Sequence, residues 1–318
     1  MSQRGTMVSA RFDALRHGLA KRIGVDEYVR SRIKSITQQT DATIATASQG
    51  TQILLAMAYQ DRVERGAPLP PLDEVEFKVY SQNSEDGILL FLFSVLGSPT
   101  KKIVEICAGD GIECNAANLI VNRGWRGLLF DGDDHNIAAG REFYRSGSNT
   151  FWYPPKLVPA WITRDNVSDL VAEHGFAGEI DLLSLDLDGI DYWIWKALEC
   201  IQPRVVVAEY NWTWGPDESK TVPYDPSFAL PPQEGRSYAD NLHFGSSLKA
   251  LVGLGREKGY RLVGCQHWGF NAFFVMDGIG EDLLPEVTTA SCFDTPVMRS
   301  RWRPEFIEDH QGREWVSV

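Results

Sequence analysis

The chain reads as a doubly wound α/β protein: a mostly parallel, seven-stranded sheet with an antiparallel hairpin at one edge and a helical arm at the N-terminus. Three observations predict this. Strand-like apolar runs alternate with helix-like segments after residue 71, which calls for a parallel sheet covered on both faces. Two apolar runs end in acids on either side of a glycine turn: Ile103-Val-Glu-Ile-Cys-Ala-Gly-Asp-Gly111, then Gly127 to Phe130 followed by Asp131. The last two runs, beginning at Tyr260 and Asn271, are joined by a short link containing Gly269 and read as a hairpin.

Residues 1–70 are polar, alanine-rich and locally basic. Leu15, Leu19 and Ile23, then Val29, Ile33 and Ile36, then Ile53, Leu54, Met57 and Ala58 recur at helical spacing. They are expected to form an arm of two or three helices, either a cap on the main domain or a route to a homo-oligomer. Gly66-Ala-Pro-Leu-Pro-Pro-Leu72 is a connector. The main domain is expected over residues 71–285, and an irregular tail over 286–318.

Within the main domain the expected strands are Lys102–Glu105, Gly127–Phe130, Leu157–Pro159, Ile180–Leu187, Arg204–Glu209, Tyr260–Gly264 and Asn271–Met276. Helices are expected from near Asn115, over Asn136–Tyr144, Asp165–His174, Tyr192–Cys200 and Ser246–Lys258. In Tyr80-Ser-Gln-Asn-Ser-Glu-Asp86, Ser81 or Ser84 reads as a helix cap with Glu85 and Asp86 in the first turn, and Gln82 as a ligand contact.

The 318 residues carry 31 Lys+Arg against 43 Asp+Glu, a net charge of −12, with 43% hydrophobic residues. A real core is therefore available, and no concentrated basic footprint marks a nucleic-acid binder. The five cysteines show no CxxC pairing, so neither a zinc site nor a disulfide framework is expected. No apolar run is long enough to span a bilayer and no secretory signal is evident, so a cytoplasmic protein with no membrane partner is expected.

Strand, glycine turn, helix, strand, acid is the order that builds a nucleoside pocket at the carboxyl ends of parallel strands. Asp131 can accept from both ribose hydroxyls. Gly109 and Gly111 allow close backbone approach. Two features depart from a dinucleotide site. The third glycine of GxGxxG is Cys114, and Glu105 would repel a pyrophosphate while suiting an amine or a sulfonium.

In Leu183-Ser-Leu-Asp-Leu-Asp-Gly-Ile-Asp191, strand alternation puts Asp186 and Asp188 on one side, with Asp191 as a turn or helix cap. By the same alternation Glu209 and Asn211 share a side of the next strand. Four such oxygens suit Mg²⁺, or a hydrogen-bonded network without metal. His243 and His267 each suit a general base. Trp212 and Trp214 belong to a loop that is either a substrate lid or packing.

Together these segments resemble the class I S-adenosylmethionine-dependent methyltransferases, and most closely their FkbM-like branch. The resemblance rests on Glu105-Ile-Cys-Ala-Gly-Asp-Gly111, Asp131, Ser81-Gln-Asn-Ser-Glu-Asp86, Asp186-Leu-Asp-Gly189 and Glu209. It covers residues 76–278 and implies a Rossmann-like fold. It implies that Glu105 and the Gly109–Gly111 turn hold the amino acid end of the cofactor, with Gln82 and Asn115 alongside, and that Asp131 holds the ribose. Asp186 would then lie nearest the methyl group, with Asp188 and His243 as further catalytic residues. By analogy with metal-dependent sugar methyltransferases, Asp186 and Glu209 would be Mg²⁺ ligands, and Asn211 completes that set. The pattern's first glycine is Cys107 here. The implied activity is methyl transfer to a small molecule, above all to a hydroxyl of a sugar or secondary metabolite. An NAD-dependent oxidoreductase and a non-catalytic nucleoside-binding or scaffold protein are the rival readings.

Overall fold

The computed structural model describes residues 48–230 and 242–318. Most of the expected arm, residues 1–47, lies outside them. Residues 52–318 form one compact unit.

Seven strands make the central sheet: β1 (Lys102–Ile106), β2 (Arg126–Asp131), β3 (Lys156–Pro159), β4 (Gly178–Leu185), β5 (Ile201–Glu209), β7 (Tyr260–Cys265) and β8 (Asn271–Met276). Their order is β3-β2-β1-β4-β5-β8-β7. The first five are parallel, while β8 runs antiparallel to both β5 and β7. The hairpin expected from Tyr260 and Asn271 is therefore present, with its second strand inserted beside β5. A separate two-stranded sheet pairs β6 (Lys220–Thr221) with β9 (Val316–Ser317).

Both faces are covered, as the unbroken apolar strands require. On β1 the side chains alternate: Ile103 joins one core, Val104 and Ile106 the other. The first core lies under α1 (48–64), α2 (Glu85–Leu96), α3 (Asn115–Arg123) and α4 (Asp134–Ser146), with Phe91, Leu119 and Tyr144 buried in it. The second lies under α5 (Val167–Glu173), α6 (Asp191–Ala197) and α7 (Leu248–Glu257), where Trp195 packs on Phe274 at 5.1 Å between ring centres. Burying a Leu, Ile or Phe side chain contributes about 1.5–3 kcal/mol, so two such cores fix the sheet rigidly beneath the loops at its carboxyl ends.

The segment expected to be an irregular tail is ordered. It contains α8 (Thr289–Phe293), α9 (Pro296–Arg301) and α10 (Phe306–Asp309), and it ends in β9. Thr288 and Thr295 cap α8 and α9 through side-chain acceptance from Ser291 N and Met298 N. These helices have only four to six residues, too short for a helical period to show in the sequence. Phe293 and Met298 complete the second core.

Candidate functional site

The sheet order reverses direction between β1 and β4, and at such a switch point the carboxyl ends of the strands open a crevice. A cavity of about 1330 Å³ lies there. Its walls include Gln82, Glu105, Gly109, Asn115, Asp131, Asp186, Asp188 and Glu209. Eight residues singled out from separate stretches of sequence are thus brought to one space.

Acids that hold the backbone form the floor. Glu105 is buried; its Oε1 accepts from Asn115 N (3.0 Å) and Ser184 Oγ (3.0 Å), and its Oε2 from Ala116 N (2.7 Å). A carboxylate at the first amides of α3 meets both the orphan N–H groups and the helix dipole. Burial raises its pKa, while those donors pull it back down. Asn115 in turn donates to Ser184 Oγ (3.1 Å). Asp131 Oδ2 accepts from Gly109 N (2.9 Å), and its Oδ1 from Asp133 N (2.9 Å) and Asn136 Nδ2 (3.1 Å). That fixes the carboxylate between the glycine turn and the start of α4.

The turn itself depends on left-handed backbone: φ is +62° at Cys107, +58° at Gly109 and +69° at Gly111. Glycine adopts this conformation freely, whereas a residue with a Cβ loses about 1–2 kcal/mol. Cys107 therefore stands in the one conformation that accounts for a glycine at this place in the resembling pattern. The turn forms with cysteine there, under local strain.

Asp186, Asp188 and Glu209 form a cluster of carboxylates on the cavity wall. Their oxygens all lie within 4.8 Å of one another. The route differs from the expected one. Strand β4 stops at Leu185 and Asp188 has φ +54°, so a turn rather than strand alternation brings Asp188 beside Asp186. Asp191 shapes that turn by accepting from Leu187 N (2.7 Å) and Gly189 N (3.2 Å). Burial pushes its carboxyl up to about 6. Burial raises Asp186 well above the ordinary carboxylate range, and the charges of Asp191 and Asp188 add to the effect. For Glu209 the order is burial, then the charge of Asp186. Asp186 and Glu209 thus lie side by side, the charge of Asp186 raising the affinity of Glu209 for a proton, while Glu209 Oε2 is buried without a partner.

Three expected residues lie away from the carboxylates. Asn211 does not join the carboxylates, because β5 ends at Glu209 and Asn211 caps the short 3₁₀ turn Trp212–Trp214. Its Nδ2 donates to Leu242 O (2.8 Å) and Phe244 O (3.0 Å), and its Oδ1 accepts from Thr213 N (3.2 Å), leaving nothing for a metal. His243 is not on the cavity wall either: its Nε2 lies 3.1 Å from Glu314 O, and its ring packs beside Trp315. His267 pairs with Glu76 away from the cavity lining. Trp212 and Trp214 are packing residues. Arg301 lies over Trp212 at 4.1 Å, and His310 stacks on Trp214 at 3.8 Å.

Several wall residues are absent from the expected ligand contacts. Glu85 lines the cavity while accepting from Asn271 Nδ2 (2.8 Å) and Asn83 N (2.8 Å). Trp161 follows β3, lies against Gly132 and donates through Nε1 to Pro226 O (2.7 Å). Phe228 lies on Gly189, where a Cβ would stand 2.3 Å from its ring. The only sequence signal for Trp161 is an aromatic just past a strand's carboxyl end. Phe228 comes from a loop with no pattern.

No family model matches the sequence, and no curated protein matches it. Solved structures overlap with part of the chain. Magnesium protoporphyrin IX methyltransferase from Synechocystis PCC 6803 with bound SAM shares 8% identity over 55% of this chain and 69% of its own, at a TM-score of 0.33. A putative caffeoyl-CoA O-methyltransferase from Staphylococcus aureus shares 10% over 63% of this chain and 86% of its own, at 0.40. For PKMT2 from Rickettsia typhi in complex with AdoHcy the identity is 16% over 42% of this chain, at 0.31, and the chain spans only 26% of that protein.

Proposed function

We propose that this protein is an S-adenosylmethionine-dependent methyltransferase acting on a hydroxyl of a small molecule, a sugar or secondary metabolite, and akin to the FkbM-like enzymes. The observation that carries this is the fixed pair of strand-end acids around a left-handed glycine turn. Asp131 is locked onto Gly109 N and still has acceptor capacity for a ribose hydroxyl. Glu105 and Glu85, with no lysine, arginine or histidine among the described wall residues, make the cavity hostile to a pyrophosphate. That disfavours a nicotinamide dinucleotide and suits a ligand with a sulfonium and an amine.

The methyl donor supplies an electrophilic carbon. The protein's part is alignment. Gln82, Glu105, the Gly109–Gly111 turn and Asp131 would bind the donor, and the acid group would face the acceptor. Transfer of that carbon to the acceptor oxygen would leave the carbon–sulfur electron pair on the donor's sulfur. The hydroxyl proton would pass to Glu209 or Asp186, which burial makes stronger proton acceptors than ordinary carboxylates.

Three carboxylates this close also fit a hard divalent cation such as Mg²⁺, held by Asp186, Asp188 and Glu209, which would polarise the acceptor oxygen. The orphaned Glu209 Oε2 favours that second reading. If it holds, EDTA abolishes turnover and Mg²⁺ restores it; full activity in EDTA would leave the proton-acceptor role alone.

Calorimetric titration with S-adenosylhomocysteine tests the main reading. Saturable binding is expected, with Asp131→Asn weakening it at least about tenfold, as loss of a hydrogen bond to a charged group does. Absence of binding by the folded protein, or tighter binding of NAD, would overturn it.

A further inference from the structure

The amino ends of β1–β3 differ sharply from the acidic cavity at their carboxyl ends. Lys102 and Arg126 are direct neighbours across β1 and β2, and Lys156 opens β3 at the edge of the sheet. Beside them a cleft of about 460 Å³ is lined by Arg141, Arg145, Lys156 and His174 together with Pro154–Pro159, and no acid lines it. Among the described residues Lys102, Arg126 and Arg145 make no ion pair, in a chain whose net charge is −12.

The turn leading into β3 carries Phe151, Trp152 and Tyr153, which are 48%, 77% and 90% exposed. Three adjacent aromatics left in water are unusual for a surface that does not meet a partner. They are not on a loose loop. Thr150 is buried and donates to Tyr144 O (2.6 Å), Asn149 Nδ2 donates to Val121 O (3.2 Å), and Tyr153 N donates to Thr150 O (3.0 Å). Pro154 and Pro155 then fix the backbone and leave this stretch of edge without N–H donors for an added strand.

We propose that this face docks the protein on an anionic membrane surface, with Phe151–Tyr153 at the headgroup–acyl boundary and a lipid phosphate in the Arg141–Arg145–Lys156–His174 cleft. Trp and Tyr favour that boundary, and a cluster of cations is drawn to anionic lipids. The placement turns the acidic cavity away from the repelling surface by the length of a strand, on the order of 15–20 Å. An aromatic platform with cations also fits single-stranded nucleic acid. The membrane is favoured because the aromatics are consecutive on one rigid turn, not spaced along a groove that tracks a backbone.

The test is co-sedimentation of the full-length protein with phosphatidylcholine vesicles, with and without phosphatidylglycerol, alongside glycerol phosphate in solution and a labelled single-stranded oligonucleotide. Binding is expected only where phosphatidylglycerol is present and should weaken with salt. It should fall about fivefold for each cation neutralised in Arg145→Gln and Lys156→Gln, and at least about tenfold in Trp152→Ser with Tyr153→Ser. These side chains are exposed and outside the cavity, so S-adenosylhomocysteine affinity and the melting temperature should not change in the same variants. Four results would overturn the proposal: equal partition onto neutral vesicles, variants that sediment like the parent, oligonucleotide binding without vesicle binding, or a dimer that Trp152→Ser dissociates. Glycerol phosphate binding without vesicle binding would also overturn it, leaving only a free-anion site.

Discussion

Replacing Glu209 by glutamine should stabilise the ligand-free protein, and increasingly so as the pH rises. The oxygens of Asp186, Asp188 and Glu209 lie within 4.8 Å of one another. With an effective dielectric of about 20, the Coulomb energy of two carboxylates at that separation, 332/(20 × 4.8), is about 3.5 kcal/mol. Water in the open cavity reduces this, so about 2–3 kcal/mol is the range to expect. The sign follows from the raised folded-state pKa of Glu209 and Asp186. Such acids bind protons more readily in the folded state, so their contribution is fully present below the unfolded carboxylate value, about 4.3 for Glu. It is lost as pH rises through the folded value. Glutamine keeps the shape and cannot ionise. Urea unfolding in EDTA at about pH 4 and about pH 8.5 should therefore show a near-zero difference at the lower pH and about 2–3 kcal/mol in favour of Glu209→Gln at the higher. Asp191, pushed up to about 6, tilts both proteins' pH profiles alike and largely cancels in the comparison. A difference independent of pH, or a variant less stable at high pH, would refute the charge-repulsion account.

Two glycines separate strain from crowding. Gly111→Ala should lose about 1–3 kcal/mol in a thermal melt, because its φ is +69° and the new Cβ would meet Leu129 and Leu157 at 3.1 and 3.3 Å. Gly109→Ala, at φ +58° with open space around it, should lose only the backbone share, about 1–2 kcal/mol. Gly189→Ala should leave S-adenosylhomocysteine affinity intact and raise the acceptor KM several-fold, since the methyl would displace the Phe228 ring from the cavity wall.

Strands β1, β2, β4 and β5 were legible because a strand buried on both faces leaves a continuous apolar run. Their carboxyl-end acids were legible because the run stops at them. Asn211 was misplaced by extending strand alternation two residues beyond Glu209, past the point where the backbone turns into Trp212–Trp214. Side-chain chemistry alone points to His243; its position depends on contacts with Trp315 and Glu314, some seventy residues away, which no local pattern encodes. The tail failed for a related reason. Helices α8 and α9 are held by Thr caps and by core contacts through Phe293 and Met298, not by a period of their own.

The acids of the cavity divide by what already compensates them, and the division narrows where chemistry can occur. Glu105 spends its oxygens on the first amides of α3 and on Ser184; Asp131 on Gly109, Asp133 and Asn136; Asp191 on Leu187 and Gly189; and Glu85 on Asn83 and Asn271. A carboxylate held by backbone N–H groups is stable without a ligand, so these four are needed for the fold whether or not a ligand binds. Asp186 and Glu209 have no such donors. They have each other, and Glu209 Oε2 has nothing. Two carboxyls side by side on a cavity wall are costly unless a proton, a metal or a cationic ligand arrives. The part of the motif most easily recognised in sequence is thus the part most fully explained by structure. The reactive end is marked instead by the acids that structure alone leaves uncompensated.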